Sequence, residues 1–182
     1  MDKKKQKGDL EKPFASAIDL GWRQLRRLEI ELMEGHLVPY AEQLPSEVMQ
    51  EALHECLPPD LVAALNRSLL MSPFFWPWFI FHWVSGKDLG IKGLSSGEPL
   101  ALHYSRTQGE KLSILEKRFI ETHCKTHYSF YEIAKLMPEQ SLIVKDILLD
   151  TEHQIKECQS RYGLKERDIV FGKILTLDGL SI

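Results

Sequence analysis

His123, Cys124 and His127, in the stretch HCKTH, form the one grouping of metal-ligating side-chain types in the chain. Histidines four apart share a face of a helix, so His123 and His127 could hold a zinc ion if another segment supplied a further ligand. The pattern lacks the glutamate of an HExxH helix, and on that helix Cys124 projects about 100° away from its neighbour. The plainer reading is an exposed helix end whose histidines suit the negative end of the helix dipole. No cofactor is expected.

A cysteine nucleophile could be drawn from Cys124 or Cys158 with one of the seven histidines. No nucleophile elbow, glycine frame or orienting motif accompanies either thiol. The Gly86-Lys87 pair lacks the upstream glycine and preceding strand of a phosphate loop, and neither GxSxG nor an Asp-rich metal loop occurs. No catalytic residue is therefore assigned, and an enzyme is unsupported. A small barrel binding single-stranded nucleic acid would need stacking aromatics and a basic groove. Tyr128, Phe130, Tyr131 and Phe171 could stack, but from Tyr128 onward seven Lys and Arg stand against nine Asp and Glu, so nucleic acid would meet net repulsion. Positive charge gathers only around Arg161, Tyr162, Lys165 and Arg167. These four and Tyr131 are the binding-surface candidates.

The elements that must position these residues follow from patterning. The chain of 182 residues is long enough for a sizeable core without staples. Its 23 Lys and Arg against 26 Asp and Glu create no global field for nucleic acid or anionic membranes. Three widely spaced cysteines and no secretory leader read as reduced thiols in a cytoplasm. Residues 1–12 are basic and polar and are expected to be a disordered tail.

The run SPFFWPWFIFHWV, residues 72–84, decides the architecture. It is shorter than the ~20 apolar residues of a spanning helix and is broken by Pro73 and Pro77, so no membrane span is expected. Ser72-Pro73 is a helix start, and Pro77 predicts a kink or restart near Trp76. A helix apolar all round belongs inside, which makes this run the hub of a helical domain over residues 13–127. Around it the spacing predicts a helix from Phe14 to about Met33 punctuated by Gly35 and Pro39, a second from Pro45 and a third over Asp60–Leu70. A loop over residues 85–99 follows, then two helices broken near Gly109, the second burying Leu112, Leu115 and Phe119.

After His127 the rhythm changes to YSFYEIAKLM, SLIVKDILL, HQIKECQ and DIVFGKILTL, short runs rich in β-branched and aromatic residues. They predict a small antiparallel β-barrel-like domain over residues 128–182, with the polar third run at an edge and Gly172 at a bulge or sharp coil. Asp178-Gly179 is a turn, and Leu180 and Ile182 begin one more strand. Incomplete closure of the barrel is an alternative, and an unclosed edge would offer backbone groups to another strand.

The segments Pro73 to Trp83, Leu115 to Phe119, Ser129 to Ile133 and Asp168 to Gly179 resemble an uncharacterised family of bacterial proteins. In that family an aromatic helix, a helix of the LxxLExxFIE kind and a β segment ending in DIVFGKILxxDG follow one another. The resemblance covers well over half the chain and implies helices followed by a small β domain that in relatives runs on past this endpoint. Some relatives carry a SEC-C zinc motif. Its CxCxSGxxxKxCC stretch is absent here, so that zinc site does not carry over.

The expectation is thus an α+β protein, a helical domain followed by a small antiparallel β-barrel, incomplete or closed. It acts in the cytoplasm as a non-catalytic interaction module, with a protein partner or a second copy meeting the C-terminal β edge. A nucleic-acid-binding barrel is the alternative, and a metal-dependent enzyme built on His123 and His127 comes third.

Overall fold

A computed structural model of the chain describes residues 17–56, 74–86, 88–137, 141–156 and 163–182. The predicted tail, the helix over Asp60–Leu70 and the helix start at Ser72-Pro73 lie outside them. The chain is α+β: helices come first, strands after.

Helix α1, Ala17–Leu32, buries Leu25 and Leu32 and packs Trp22 and Leu28 on the same core. Its outer face is held by Arg26–Glu29 and Arg27–Glu31 ion pairs at 2.8 and 2.7 Å, the spacing at which helical side chains meet. Gly35 does not end it. A widened π turn, Met33–Leu37, carries the chain into α2, Val38–Ala41, with Pro39 in its first turn. Helix α3, Ser46–Cys56, buries Val48 and Ala52.

Helix α4, Phe75–Phe81, is the aromatic hub. The helix starts at Phe75, next to the expected restart near Trp76, and Pro77 falls in its first turn, where a missing N–H removes no helical bond. Phe75, Phe79, Ile80 and Phe81 are each no more than 1% exposed, Trp83 follows buried, and Phe75 stacks on Phe79 at 5.5 Å. The loop over residues 85–99 leads to α5, Leu100–Thr107. A single 3₁₀ turn, Gly109–Lys111, precedes α6, Ile114–Lys125. Ser113 and Glu116 form a reciprocal capping box at the start of α6, with Ser113 Oγ accepting from Glu116 N at 3.2 Å and Glu116 Oε2 from Ser113 N at 2.7 Å. Phe119 and Ile120 are buried as the periodicity requires, but Leu115 is exposed on the far side of the first turn.

The strands β1 (Ser129–Leu136), β2 (Ser141–Asp146), β3 (Thr151–Lys156) and β4 (Ile169–Gly172) form one antiparallel sheet in the order β3-β2-β1-β4. The polar third strand is at an edge, as its composition predicts. Alternation puts Tyr131, Ile133, Leu142 and Val144 on one covered face with Ile174, a second core distinct from the helical one. The irregularity in the ladder lies between Ile133 and Lys135; Gly172 pairs regularly with Ser129 and marks the end of β4 instead of a bulge. The β2–β3 turn is fixed by buried Asp146, whose Oδ1 accepts from Ser129 Oγ at 2.7 Å and from the amides of Leu148 and Leu149 at 2.9 and 3.0 Å.

The sheet does not close. Strands β5, Thr176–Leu177, and β6, Leu180–Ser181, form a separate hairpin, turned by Asp178 and Gly179 at φ 50° and 78°. Leu175, Leu177 and Ile182 join the helical core, so the last residues leave the sheet and bind the helices back. Leu180 packs closely over Gly21, where a Cβ would lie 2.8 Å from Leu180 Cδ1 and push that side chain aside. Arg118 of α6 clasps Asp178 with two bonds of 2.5 and 3.2 Å.

Candidate functional site

The chemistry in this molecule gathers where helices and sheet meet. Lys173 follows β4 directly, His82 caps the C-terminus of α4, His123 stands in the last turn of α6, and Tyr128 immediately precedes β1. The Lys173 Nζ lies 2.7 Å from His82 Nε2 and in hydrogen-bond contact with His123 Nδ1, with the His123 carbonyl 3.4 Å away. The rings of Tyr128 and Phe81 face the same nitrogen at 5.3 and 5.4 Å.

Two helix ends impose this arrangement. Burial of Phe81 and Phe119 fixes His123 between them, stacked on Phe81 at 3.8 Å and 16° and 5.3 Å from Phe119. His82 stands edge-on to Tyr128 at 5.4 Å. No carboxylate among the described residues forms an ion pair with the amine. Burial drives its pKa down to about 7, against the upward pull of the more distant Cys124 and Glu29. The two rings and two nitrogen acceptors favour an ammonium, yet desolvation outweighs them. Burial also lowers His82 to about 4 and holds His123 well below its ordinary range, in both cases helped by the Lys173 charge. The same burial pushes the Cys124 thiol and the Tyr128 phenol up to about 12, so neither ionises near neutrality.

Above the amine a cavity of about 270 Å³ opens, lined by Phe74, Pro77, His123, Tyr128 and the Arg26–Glu29 pair. A larger cleft of about 490 Å³ between α1, β3 and the hairpin holds less chemistry, because its Asp19 and Lys156 pair with each other.

The residues singled out by sequence fare differently. His123 is buried, not an exposed helix end, and His127 lies beyond the last helical residue in solvent, so the two do not share a helix face. The nitrogen His123 would have offered a metal contacts Lys173. Among the described residues no three His, Cys, Asp or Glu side chains converge as a metal site. Tyr131 is a correction of another kind: only 5% exposed, it points to the covered face of the sheet, in step with Ile133, and offers no binding surface. Lys165 and Arg167 are exposed in the turn before β4, where Arg167 takes φ 74° and donates its N–H to Ile133 O at 2.8 Å. Arg161 and Tyr162 lie outside the described residues. Sequence reasoning missed Lys173 and its partner His82. The available signal was a lysine inside the apolar run IVFGKIL, next to residues that are buried.

A second feature lies on the open face of the sheet. Phe130 of β1 and Phe171 of β4 pair across the strands at 5.1 Å, 48% and 53% exposed, with Ile169 63% exposed beside them. Tyr128 stacks on Phe171 at 5.5 Å and Phe74 touches both, extending the apolar strip to the cavity mouth. No strand lies beyond β4 among the described residues.

Compared with protein-family models, with curated proteins and with solved structures, the chain gives no match in any of the three. No helix among the described residues is long and apolar enough to cross a membrane.

Proposed function

We propose that this chain is a non-catalytic interaction module that associates with a second copy of itself across β4. The supporting observation is the conjunction at one edge of an unpaired strand and an exposed apolar strip, Ile169, Phe171 and Phe130. A terminal strand offers its backbone N–H and C=O groups as a template. Antiparallel pairing of β4 with its copy is isologous, each protomer giving the same patch, and it would join two four-stranded sheets into one. The neighbouring charges Lys165, Glu166, Arg167 and Asp168 balance, so two-fold pairing brings no net like charge together. In this reading the open sheet is extended from outside instead of by its own hairpin. The three widely spaced cysteines of the sequence support a cytoplasmic setting, and the motif resemblance supports kinship with the bacterial family named above.

Sedimentation velocity at concentrations up to roughly 100 µM tests this, a range that captures affinities of ordinary weak dimers. The wild type is expected to form a discrete dimer and Phe171→Glu a monomer of unchanged melting temperature. A wild type that stays monomeric throughout contradicts the proposal.

One observation favours a second reading, since Phe130 and Phe171 adjacent on an antiparallel sheet would also stack two bases. Glu132 on the same face and the acidic balance of the segment oppose it. Retention on heparin that falls steeply with salt would move the assignment there.

A further inference from the structure

We propose that Lys173 is a carbonyl-capture site: its amine, held between ring nitrogens of His82 and His123 at the foot of a cavity walled by Phe74, Pro77 and Tyr128, forms an imine with a small apolar aldehyde or ketone. The site goes beyond the self-association reading and does not depend on it.

Geometry carries the argument. A neutral amine has two N–H bonds and one lone pair. With each histidine in the tautomer that presents a bare nitrogen to the amine, these two nitrogens accept its two N–H bonds, the His123 carbonyl stands farther off at 3.4 Å, and the lone pair is left over. Lys173 is itself only partly buried, and the cavity beside it is bordered by the same His123 and Tyr128 that touch its nitrogen. The walls are rings and a proline, and the charged rim residues Arg26 and Glu29 neutralise each other, so an uncharged, largely apolar carbonyl compound fits better than an anion. The volume of about 270 Å³ admits a molecule of one ring or a short chain.

Burial supplies the reactive form. With its pKa brought down to about 7, about half of the amine is unprotonated at neutral pH. An ordinary surface lysine is unprotonated roughly a thousandfold less often there. The lone pair attacks the carbonyl carbon, the C–N bond forms, and the carbonyl π electrons move to oxygen. The amine proton passes to that oxygen, with a neutral ring nitrogen of His82 or His123 as relay. Loss of water with a second proton then gives the C=N bond. The balance is amine plus carbonyl to imine plus water, with no oxidant or reductant consumed.

The test uses the intact chain and benzaldehyde as probe, with cyanoborohydride to reduce any imine to a stable secondary amine, followed by peptide mapping at a series of pH values. Lys173 is expected to be labelled at least about tenfold faster at pH 7 than exposed Lys165 or Lys135, the gain in free amine being partly offset by lower basicity and narrower access. Its labelling relative to the surface lysines should be greatest near pH 7 and should shrink toward pH 10, as the surface amines deprotonate. Labelling of Lys173 no faster than Lys165, or a rate that climbs in parallel with it, overturns the proposal. Because wild-type protein is used throughout, a substitution that fails to fold does not enter the result.

Discussion

Phe75, Phe79 and Phe81 in α4 and Phe130 and Phe171 on the sheet are the same side chain in opposite circumstances. The first three are at most 1% exposed, the last two about half exposed. The helix has α2, α5 and α6 packed around it, which cover Phe75, Phe79, Ile80 and Phe81 and leave Trp76 and Trp78 half-buried. The sheet has one covered face. In β1 the residues Tyr131 and Ile133 occupy the inner phase, and Phe130 stands in the outer phase with Glu132. An aromatic residue in the solvent phase of an alternating strand is not accounted for by the core of this chain. The proposed contact surface rests on that observation.

The largest effect that sharpens this contrast comes from Phe79→Ala. Removing a ring with no exposed surface from the hub is expected to cost about 3–5 kcal/mol in urea unfolding, against less than about 1 kcal/mol for Phe130→Ala. Equal losses at the two positions would erase the distinction between glue and contact surface.

The junction between the two regions should reveal itself in pH dependence. The folded Lys173 amine titrates at about 7 and the unfolded one near 10.5, so between these values unfolding takes up a proton and stability rises with pH. Between pH 7 and 9 the gain should be about 2–3 kcal/mol, and Lys173→Met should flatten it. Above pH 9 the Cys124 thiol opposes the trend, because it ionises first in the unfolded chain. Below pH 6.5 stability should fall again, as the unfolded counterparts of His82 and His123 take up protons that the buried rings refuse. A flat profile from pH 7 to 9 would place the amine in water.

Within the sheet, Asp146→Asn tests whether the β2–β3 turn depends on its buried carboxylate. Weakening the bonds from Ser129 and two turn amides is expected to cost about 1–3 kcal/mol, read from thermal or urea melts. The smallest change in protomer stability is expected from Phe171→Glu, within about 0.5 kcal/mol, because half of that ring already faces solvent.

Local pattern made much of the fold legible. The aromatic run 74–84 announces a hub and short β-branched and aromatic runs mark β1 and β2, while the Ser-x-x-Glu of Ser113 and Glu116 was an unused signal for the start of α6. What pattern could not supply was register in three dimensions. Lys173 stands 91 positions from His82 and 50 from His123, and only the docking of β4 against two helix ends brings them together. The helical spacing proposed for His123 and His127 failed for a local reason: the helix ends at Lys125, and its last turn faces inward. Tyr131 was assigned by residue type, whereas its phase in the strand, two positions from Ile133, already placed it inside. The departure of the C-terminal hairpin from the sheet rests on Leu175, Leu177 and Ile182 joining the helical core, contacts between residues far apart in sequence.

Amide hydrogen exchange of the segment from Ile169 to Gly172, followed as protein concentration is raised, tests the central claim most directly. If β4 meets its copy, the amides on its outer edge become protected in step with concentration, while those of α4 are protected at every concentration. Exchange in β4 that stays fast and unchanged at the highest concentration, in protein whose α4 amides remain protected, would contradict the account.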